Sequence, residues 1–213
     1  FRKPHTRVIK TPNRGLSSTR NYGYSLAKGE YIQFLDADDF LEKNKFELQM
    51  KAFQKDKNID ICYTNYKYFF EESGEYVEPN LPVKLSASPF NDFLYLWQRK
   101  LSIPIHSAIF RKKIFGASQP FIEGFGATED WIMWTKLAKQ GANFFFINKD
   151  LAYYRVHEKS MSHNKQYMLY WASRAIAYIA ENFIEEDEKV KFNNESQKYL
   201  YQLICILFLN DKN

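Results

Sequence analysis

Short apolar runs alternate along most of the chain with longer segments in which apolar residues recur at helical spacing. The apolar runs predict strands at 7–11, 31–35, 59–64, 107–110, 143–147 and 151–156. The helical segments cover 17–27, 41–55, 89–100 and 128–140. Strands that alternate with helices in this way predict an α/β domain, with helices on the faces of a mixed sheet.

Three features refine this pattern. The run 31–35 is almost continuously apolar, which predicts a central strand covered on both faces. The strand at 59–64 continues to Phe70 and predicts a hairpin around Ser73 and Gly74. Beyond His163, apolar residues at helical spacing over 168–183 and 190–209 predict two helices packed on the domain. We therefore expect a domain over 1–163 and a helical extension over 164–213, with no linker between them.

The composition fits one folded domain with an anionic partner. Of the 213 residues 45% are hydrophobic, and the formal net charge is +5. Lysines are scattered along the chain, so a nucleotide or a phosphorylated group suits this charge better than nucleic acid.

Cys62 and Cys205 lie in apolar runs, which favours buried thiols in a reducing compartment over a disulfide or a zinc site. The reducing compartment that the cysteines favour makes the cytoplasm the expected location. No apolar stretch reaches the roughly 18 residues that a membrane span needs.

Three aspartates, Asp36, Asp38 and Asp39, directly follow the predicted strand at 31–35. Ligands of open α/β sheets bind outside the carboxyl ends of the strands. Carboxylates this close repel one another unless a positive group joins them, and a hard divalent cation bridged to phosphate oxygens would explain Asp36 and Asp38. The alternative is helix entry, in which Asp39 caps the next helix and Glu42 completes a capping box. We expect that alternative for Asp39, and it leaves the other two unexplained.

Two other positions are candidates for binding anions or metal. Gly15 precedes a predicted helix whose N-terminus favours anions, and Arg20 adds a charged fork. An ordinary helix start with a solvated arginine is the alternative. His157 follows the last predicted strand and could bind a metal or a diphosphate. A lone histidine at a strand end is also commonly a structural or surface residue.

A pair of acids begins the helix predicted at 128–140. Glu129 and Asp130 fall in its first turn, where the helix dipole alone favours acidic residues. The neighbouring Trp131 and Trp134 fit the wall of a sugar-binding cleft and the apolar core equally well.

The order and spacing of these segments resemble the family 2 glycosyltransferases. The matching stretches are 13–15, 19–23 (with Thr19 where the family often has alanine), 29–39, the pair 129–130 and 154–157. The resemblance runs from about Arg7 to about Ser162 and is strongest between Asn13 and Leu41. It implies a GT-A fold, in which residues 1–163 form part of a catalytic domain.

The resemblance also implies the roles of single residues. Asp36 and Asp38 match the Asp-x-Asp motif, which holds Mg²⁺ or Mn²⁺ on the donor diphosphate and contacts the donor ribose. Arg20 and Asn21 match the stretch that lines the donor site. His157 matches a late histidine near the diphosphate.

Asp130 matches the general base of an inverting, hexosyltransferase-type reaction. The implied partners are a nucleotide-sugar donor and a carbohydrate or lipid-linked acceptor. The implied process is bacterial-type synthesis of a surface polysaccharide or glycolipid, in the cytoplasm or at the inner face of the membrane.

Family members normally begin with strands that hold the nucleotide base, and none of these precedes Phe1. We therefore expect an N-terminally incomplete domain that self-associates through an unpaired sheet edge. Two other classes of function stay open. One is a catalytically silent nucleotide- or carbohydrate-binding module, and the other is a basic peripheral membrane protein whose aromatic C-terminal helices bind lipid.

Overall fold

The computed structural model describes residues 6–158 and 160–210, with side chains described as far as residue 205. Helices and strands alternate along the domain, as the apolar pattern predicts. In chain order they are α1 Leu16–Leu26, β1 Tyr31–Ile32, β2 Phe40–Leu41, α2 Lys45–Lys55, β3 Ile61–Phe70, β4 Tyr76–Val77, α3 Pro89–Tyr95, β5 Ile109–Arg111, α4 Glu129–Lys139, β6 Phe144–Val156, α5 Lys165–Phe183 and α6 Glu186–Asn210.

The strands form one mixed sheet with the order β1-β5-β3-β6-β2, and β4 pairs with β3. β3 and β6 run parallel along most of their length, whereas β5 is antiparallel to both β1 and β3. β1, β3 and β6 therefore run in the same direction, and the segments that follow them emerge at one edge of the sheet. These segments begin at Gln33, Glu71 and His157.

Several predicted elements are confirmed. The hairpin around Ser73 and Gly74 forms, with Tyr68 paired to Val77. Glu129 and Asp130 lie in the first turn of α4. The two C-terminal helices are present as α5 and α6.

The first two predicted strands differ from expectation. Residues 7–11 are exposed coil, because no strand of the described chain lies beside them to complete their backbone hydrogen bonds. The run 31–35 yields only the two-residue β1, at an edge of the described sheet. Phe34 is buried while Leu35 is 48% exposed. The prediction of a central strand covered on both faces is therefore wrong for the described chain.

Tertiary pairing also shifts the boundaries of later elements. The helix predicted from 41 begins at Lys45, because Phe40 and Leu41 pair with β6 instead. The strands predicted at 143–147 and 151–156 are one continuous strand, β6, whose register against β3 shifts around Asn65. α3 ends at Tyr95, before a turn with a positive φ at Gln98. The strand predicted at 107–110 lies at 109–111, after a 3-10 turn.

The hydrophobic core lies between the sheet and α3, α4, α5 and α6. Trp134 is stacked between Phe93 and Phe110, with ring centroids 5.8 and 5.2 Å away. Trp131 is also buried, so both tryptophans belong to the core and the cleft-wall alternative is wrong. The buried faces of α5 and α6 join the same cluster through residues such as Ile179 and Phe192. Within residues 6–158 and 160–210, no helix is both long and apolar enough to cross a membrane.

Candidate active site

Arg20 lies at the centre of an acidic cluster. Its side chain projects from α1 and is only 9% exposed. Nη2 donates to the two oxygens of Asp36 at 2.8 and 2.7 Å, and Nη1 donates to Glu129 Oε1 at 2.5 Å. The guanidinium also lies 5.2 Å from the ring centroid of Phe121. One buried cation therefore joins the aspartate motif after β1 to the acidic pair that begins α4.

These carboxylate partners stabilise the charged form of Arg20. Burial by itself lowers the pKa of Arg20, because it penalises the charged form, but the carboxylates of Asp36 and Glu129 raise the pKa above its ordinary value. A bidentate guanidinium–carboxylate pair fixes orientation as well as charge. The solvated arginine considered as an alternative is therefore wrong.

The start of α4 is held in place by α5. Thr128 has a left-handed backbone with φ 63°, a conformation that is costly for a β-branched residue and is retained only where the surroundings enforce it. Its Oγ1 hydroxyl donates to the carbonyl of Trp171 at 3.1 Å. A Cβ at Gly126 would lie 2.0 Å from Tyr167 Oη and 2.7 Å from Trp171 Nε1, so a larger residue there would require these α5 side chains to move. α5 thus packs directly behind the loop that presents the two acids.

Asp130 has an unusual proton affinity. Its side chain keeps some contact with solvent, yet loss of hydration and the neighbouring charge of Glu129 raise its pKa to about 7. Arg20 and the backbone N–H of Trp131, which donates to Asp130 Oδ1 at 2.8 Å, act in the opposite direction. A carboxylate with a pKa near neutrality can accept a proton and release it again at physiological pH. We call Arg20, Asp36, Glu129 and Asp130 the Arg20 cluster.

Asp38 stands apart from that cluster. Its side chain is 49% exposed, and its Oδ2 lies 3.4 Å from His157 Nε2 at the end of β6. The structure therefore brings the aspartate motif and the late histidine together, across more than 100 residues of sequence. We call these two residues the Asp38–His157 pair.

Asp39 does not cap α2. The helix begins at Lys45 with Asn44 before it, while Asp39 Oδ1 accepts the backbone N–H of Arg155 at 2.9 Å. Asp39 Oδ2 pairs with His106 Nδ1 at 2.9 Å. The predicted capping box is therefore wrong, because β2 separates Asp39 from the helix. Glu42 accepts a hydrogen bond from the hydroxyl of Tyr153 instead.

Asn21 is buried, and its amide is directed at the loop before α4. Nδ2 donates to the carbonyl of Phe121 at 2.8 Å and to Gln119 Oε1 at 3.0 Å, and Oδ1 accepts the N–H of Phe121 at 3.0 Å. This side chain therefore fixes the loop whose phenylalanine packs against the guanidinium of Arg20.

Two cavities lie at opposite ends of the long strands. The smaller, about 400 Å³, adjoins His157 and is lined by Phe70, Glu72, Ser73, Val156, Glu158 and His163. The larger, about 940 Å³, lies near the beginnings of β3 and β6, and its lining includes Tyr63, Leu85 and Phe146. Because ligands of open α/β sheets bind at the carboxyl ends of strands, the smaller cavity is the one beside the candidate site.

Mg²⁺ and Mn²⁺ prefer oxygen ligands, which the aspartates after β1 could supply. Within residues 6–158 and 160–210, no group of three or more histidine, cysteine, aspartate or glutamate side chains is arranged to hold a metal. Both oxygens of Asp36 are engaged by Arg20, whereas Asp38 is accessible beside His157. Mg²⁺ is typically bound through one or two protein ligands together with water and phosphate oxygens. The Asp38–His157 pair fits an ion of this kind when a diphosphate supplies further ligands.

The fold and the acidic site agree with a sequence match to a known family. The model of glycosyl transferase family 2 matches residues 1–117, more than half of the chain. The chain therefore belongs to glycosyl transferase family 2. The matched region includes Arg20 and all three aspartates of the motif, whereas Asp130 and His157 lie beyond it.

The individual relatives have low sequence identity to this chain. EpsH of Bacillus subtilis is 24% identical over 208 residues, which cover 94% of this chain and 60% of EpsH. The chondroitin synthase of Pasteurella multocida is 31% identical over 153 residues, which cover 72% of this chain and 15% of that enzyme. Among solved structures, Staphylococcus aureus TarS in complex with UDP-GlcNAc superposes with a TM-score of 0.57 at 16% identity, over 86% of this chain and 52% of that one. This similarity confirms the predicted GT-A fold.

Sequence reasoning missed two partners of the predicted residues. His106 was not singled out, because a lone histidine between apolar residues carries no motif. Glu129 was assigned only to the helix dipole, although it forms an ion pair with Arg20. One signal could have found the partners of Arg20, since an arginine that becomes buried on folding requires carboxylates near it.

Proposed function

We propose that this chain transfers a sugar from a nucleoside-diphosphate donor to an acceptor hydroxyl, with inversion at the anomeric carbon and with Asp130 as the general base. The observation that supports the proposal most strongly is the Arg20 cluster. It places a carboxylate with a pKa near 7 beside the motif that follows β1. A base of this kind is suited to a hydroxyl nucleophile at neutral pH.

The proposed reaction is a single displacement. The acceptor oxygen attacks the anomeric carbon, a new carbon–oxygen bond forms, and the bond to the diphosphate oxygen breaks on the opposite face. The electron pair of the broken bond leaves with the nucleoside diphosphate, and the acceptor proton passes to the carboxylate of Asp130. Glu129 contributes through its charge and through its ion pair with Arg20.

We propose that Asp38 and His157 hold the divalent cation together with the donor diphosphate. A bound Mg²⁺ or Mn²⁺ supplies Lewis-acid stabilisation of the negative charge on the leaving group. Both oxygens of Asp36 accept hydrogen bonds from Arg20, so we assign it to orienting Arg20 and to contacting the donor ribose; a remaining lone pair leaves it able to join as a second metal ligand. Asn21 contributes by fixing the loop beneath Arg20.

The relatives support the choice of partners. TarS was crystallised with UDP-GlcNAc, and chondroitin synthase is named for making a polysaccharide. We propose a nucleotide sugar, of the hexose type, as the donor and a carbohydrate or a lipid-linked carbohydrate as the acceptor, in the synthesis of a surface polysaccharide or glycolipid on the cytoplasmic side of the membrane.

The test is an assay on the full-length protein with a panel of nucleotide sugars and Mn²⁺. We expect one donor to release its nucleoside diphosphate, and NMR of the product should show the anomeric configuration inverted. Asp130→Asn should remove this activity while donor binding remains. Retention of configuration, or turnover by Asp130→Asn at the parental rate, would overturn the proposed mechanism.

A further inference from the structure

Asp39 and His106 form a buried pair that the proposed reaction does not use directly. The side chains are 4% and 1% exposed, and Asp39 Oδ2 lies 2.9 Å from His106 Nδ1. Because the carboxylate can only accept, this geometry assigns the hydrogen to Nδ1. Nε2 of the same ring is buried and has no hydrogen-bond partner among the described residues. Leaving a buried polar atom unpaired costs free energy, so packing alone would favour an apolar side chain here.

The pair is linked to the end of β6 through a second contact of Asp39. Asp39 Oδ1 accepts the backbone N–H of Arg155 at 2.9 Å, and the side chain of Arg155 donates from Nε to the carbonyl of Asp38 at 2.7 Å. The guanidinium of Arg155 also contacts two aromatic rings, 5.3 Å from the centroid of Phe40 and 5.2 Å from that of Phe69. The peptide segment 38–39 is therefore joined to β6 at two points.

This connection sets the position of Asp38 relative to His157. His157 comes two residues after Arg155, directly after the end of β6, and its Nε2 lies 3.4 Å from Asp38 Oδ2. On the other side, the carbonyl of His106 accepts Gln33 Nε2 at 3.0 Å, from the segment that leads into the aspartate motif. His106 thus contacts both the approach to the motif and its last aspartate.

We propose that Asp39 and His106 are positioning residues that hold Asp38 against His157 and so set the affinity for a divalent cation with a nucleoside diphosphate. The inference rests on the proposed function, since it needs that ligand to bind at Asp38. Groups that orient metal ligands typically change metal affinity by 10–100-fold when they are altered. An apolar replacement of His106 would leave Asp39 Oδ2 buried without a partner and allow segment 38–39 to move.

The test compares two substitutions of His106 with a control at the far end of β3. His106→Asn keeps an N–H close to the position of Nδ1, whereas His106→Leu has a similar volume and no donor. Tyr63→Phe removes another buried hydrogen bond, the one from the N–H of Leu85 to Tyr63 Oη at 2.9 Å, beside the larger cavity. Calorimetry of the full-length protein would measure the affinity for Mn²⁺ with a nucleoside diphosphate, and thermal unfolding would measure stability.

We expect His106→Leu to weaken this affinity about tenfold or more, His106→Asn to restore it to within a few-fold of the parent, and Tyr63→Phe to lower only the unfolding temperature. Equal affinities for the parent and His106→Leu, or equal losses in His106→Leu and Tyr63→Phe, would overturn the positioning role. If His106→Leu does not fold, Asp39→Asn takes its place, because its single amide oxygen cannot replace both carboxylate oxygens, which accept from His106 and from the N–H of Arg155. If the parent binds no nucleoside diphosphate with Mn²⁺, the proposed function fails and the positioning role fails with it.

Discussion

The two acidic regions at the sheet edge differ in how their charges are satisfied. In the Arg20 cluster, a cation that is 9% exposed pairs with carboxylates from two distant segments, and Glu129 is only 5% exposed. In the Asp38–His157 pair, the carboxylate is 49% exposed, and the distance from its Oδ2 to His157 Nε2 is long, at 3.4 Å. The carboxylates of the Arg20 cluster thus have a cationic partner within the protein. Asp38, in contrast, is exposed enough to contact a cation that arrives with a ligand.

Because of this difference, substitutions in the two regions should have different effects. Changes within the Arg20 cluster should alter proton affinity and stability, because its interactions exist before any ligand binds. Changes at the Asp38–His157 pair should alter the binding of a metal with a diphosphate and leave the fold intact. The following predictions test this separation, from the largest expected effect to the smallest.

Asp130→Asn should lower kcat roughly 100-fold or more, because the amide keeps the shape of the side chain but cannot accept the acceptor proton. Donor affinity, measured by calorimetry, should change little. Glu129→Gln serves as the matched control, since it alters the adjacent acid on the same helical turn and should cost much less. Near-parental turnover by Asp130→Asn would place the base elsewhere.

Arg20→Met should destabilise the protein by roughly 3–5 kcal/mol, because it leaves the buried carboxylate of Glu129 without its cation. Urea unfolding at neutral pH would measure this loss. Lys51→Met is the control, because Lys51 and its partner Glu47 are both 64% exposed, and exposed pairs contribute little. Similar unfolding midpoints for the two variants would show that Arg20 does not organise the cluster.

Asp38→Ala should abolish the coupled binding of Mn²⁺ and a nucleoside diphosphate while the unfolding temperature stays close to that of the parent. The physical reason is that Asp38 is exposed and its carboxylate carries little of the folding energy. Calorimetry with metal alone, nucleotide alone and both together would measure the coupling. Coupled binding by Asp38→Ala at the parental affinity would contradict the assignment of the metal to Asp38.

The sequence pointed to the residues that meet at the candidate site, but not to the partners that hold them in place. Residues in a continuous motif, such as Asp38, could be identified because three carboxylates at a strand end have few structural explanations. The partners of these residues come from distant segments, and nothing local marks them. Asp39 shows the limit most clearly, since local helix-capping rules fit it well, yet pairing of Phe40 and Leu41 with β6 directs its carboxylate to His106 and Arg155.

The fold shows the same contrast between features set by local sequence and features set by distant segments. Helices with strong local periodicity, such as α4, α5 and α6, were predicted within a few residues, because each buries one apolar face whatever its neighbours are. Strand positions were less certain, since a strand forms only where a partner completes its hydrogen bonds. The exposed coil at 7–11 and the short β1 both reflect that dependence. The division between 1–163 and 164–213 stays a prediction.

The proposed mechanism depends most on the proton affinity of Asp130. Desolvation and the charge of Glu129 raise its pKa from 3.8 to about 7. The folded protein therefore binds this proton more tightly than the unfolded chain, and Asp130 should lower stability as the pH rises from about 4 towards 7. Activity should change in the opposite direction, because only the deprotonated carboxylate can act as the base.

The most direct test is the pH dependence of kcat/KM for the parent and for Glu129→Gln, since kcat/KM reports the pKa of groups in the free enzyme. The parent should lose activity below pH 7, about tenfold per pH unit, with a midpoint near the pKa of about 7 found for Asp130. Glu129→Gln removes a neighbouring negative charge, so its midpoint should move to lower pH. An unchanged midpoint, or one that moves to higher pH, would contradict the assignment of Asp130 as a base whose proton affinity is set by the Arg20 cluster.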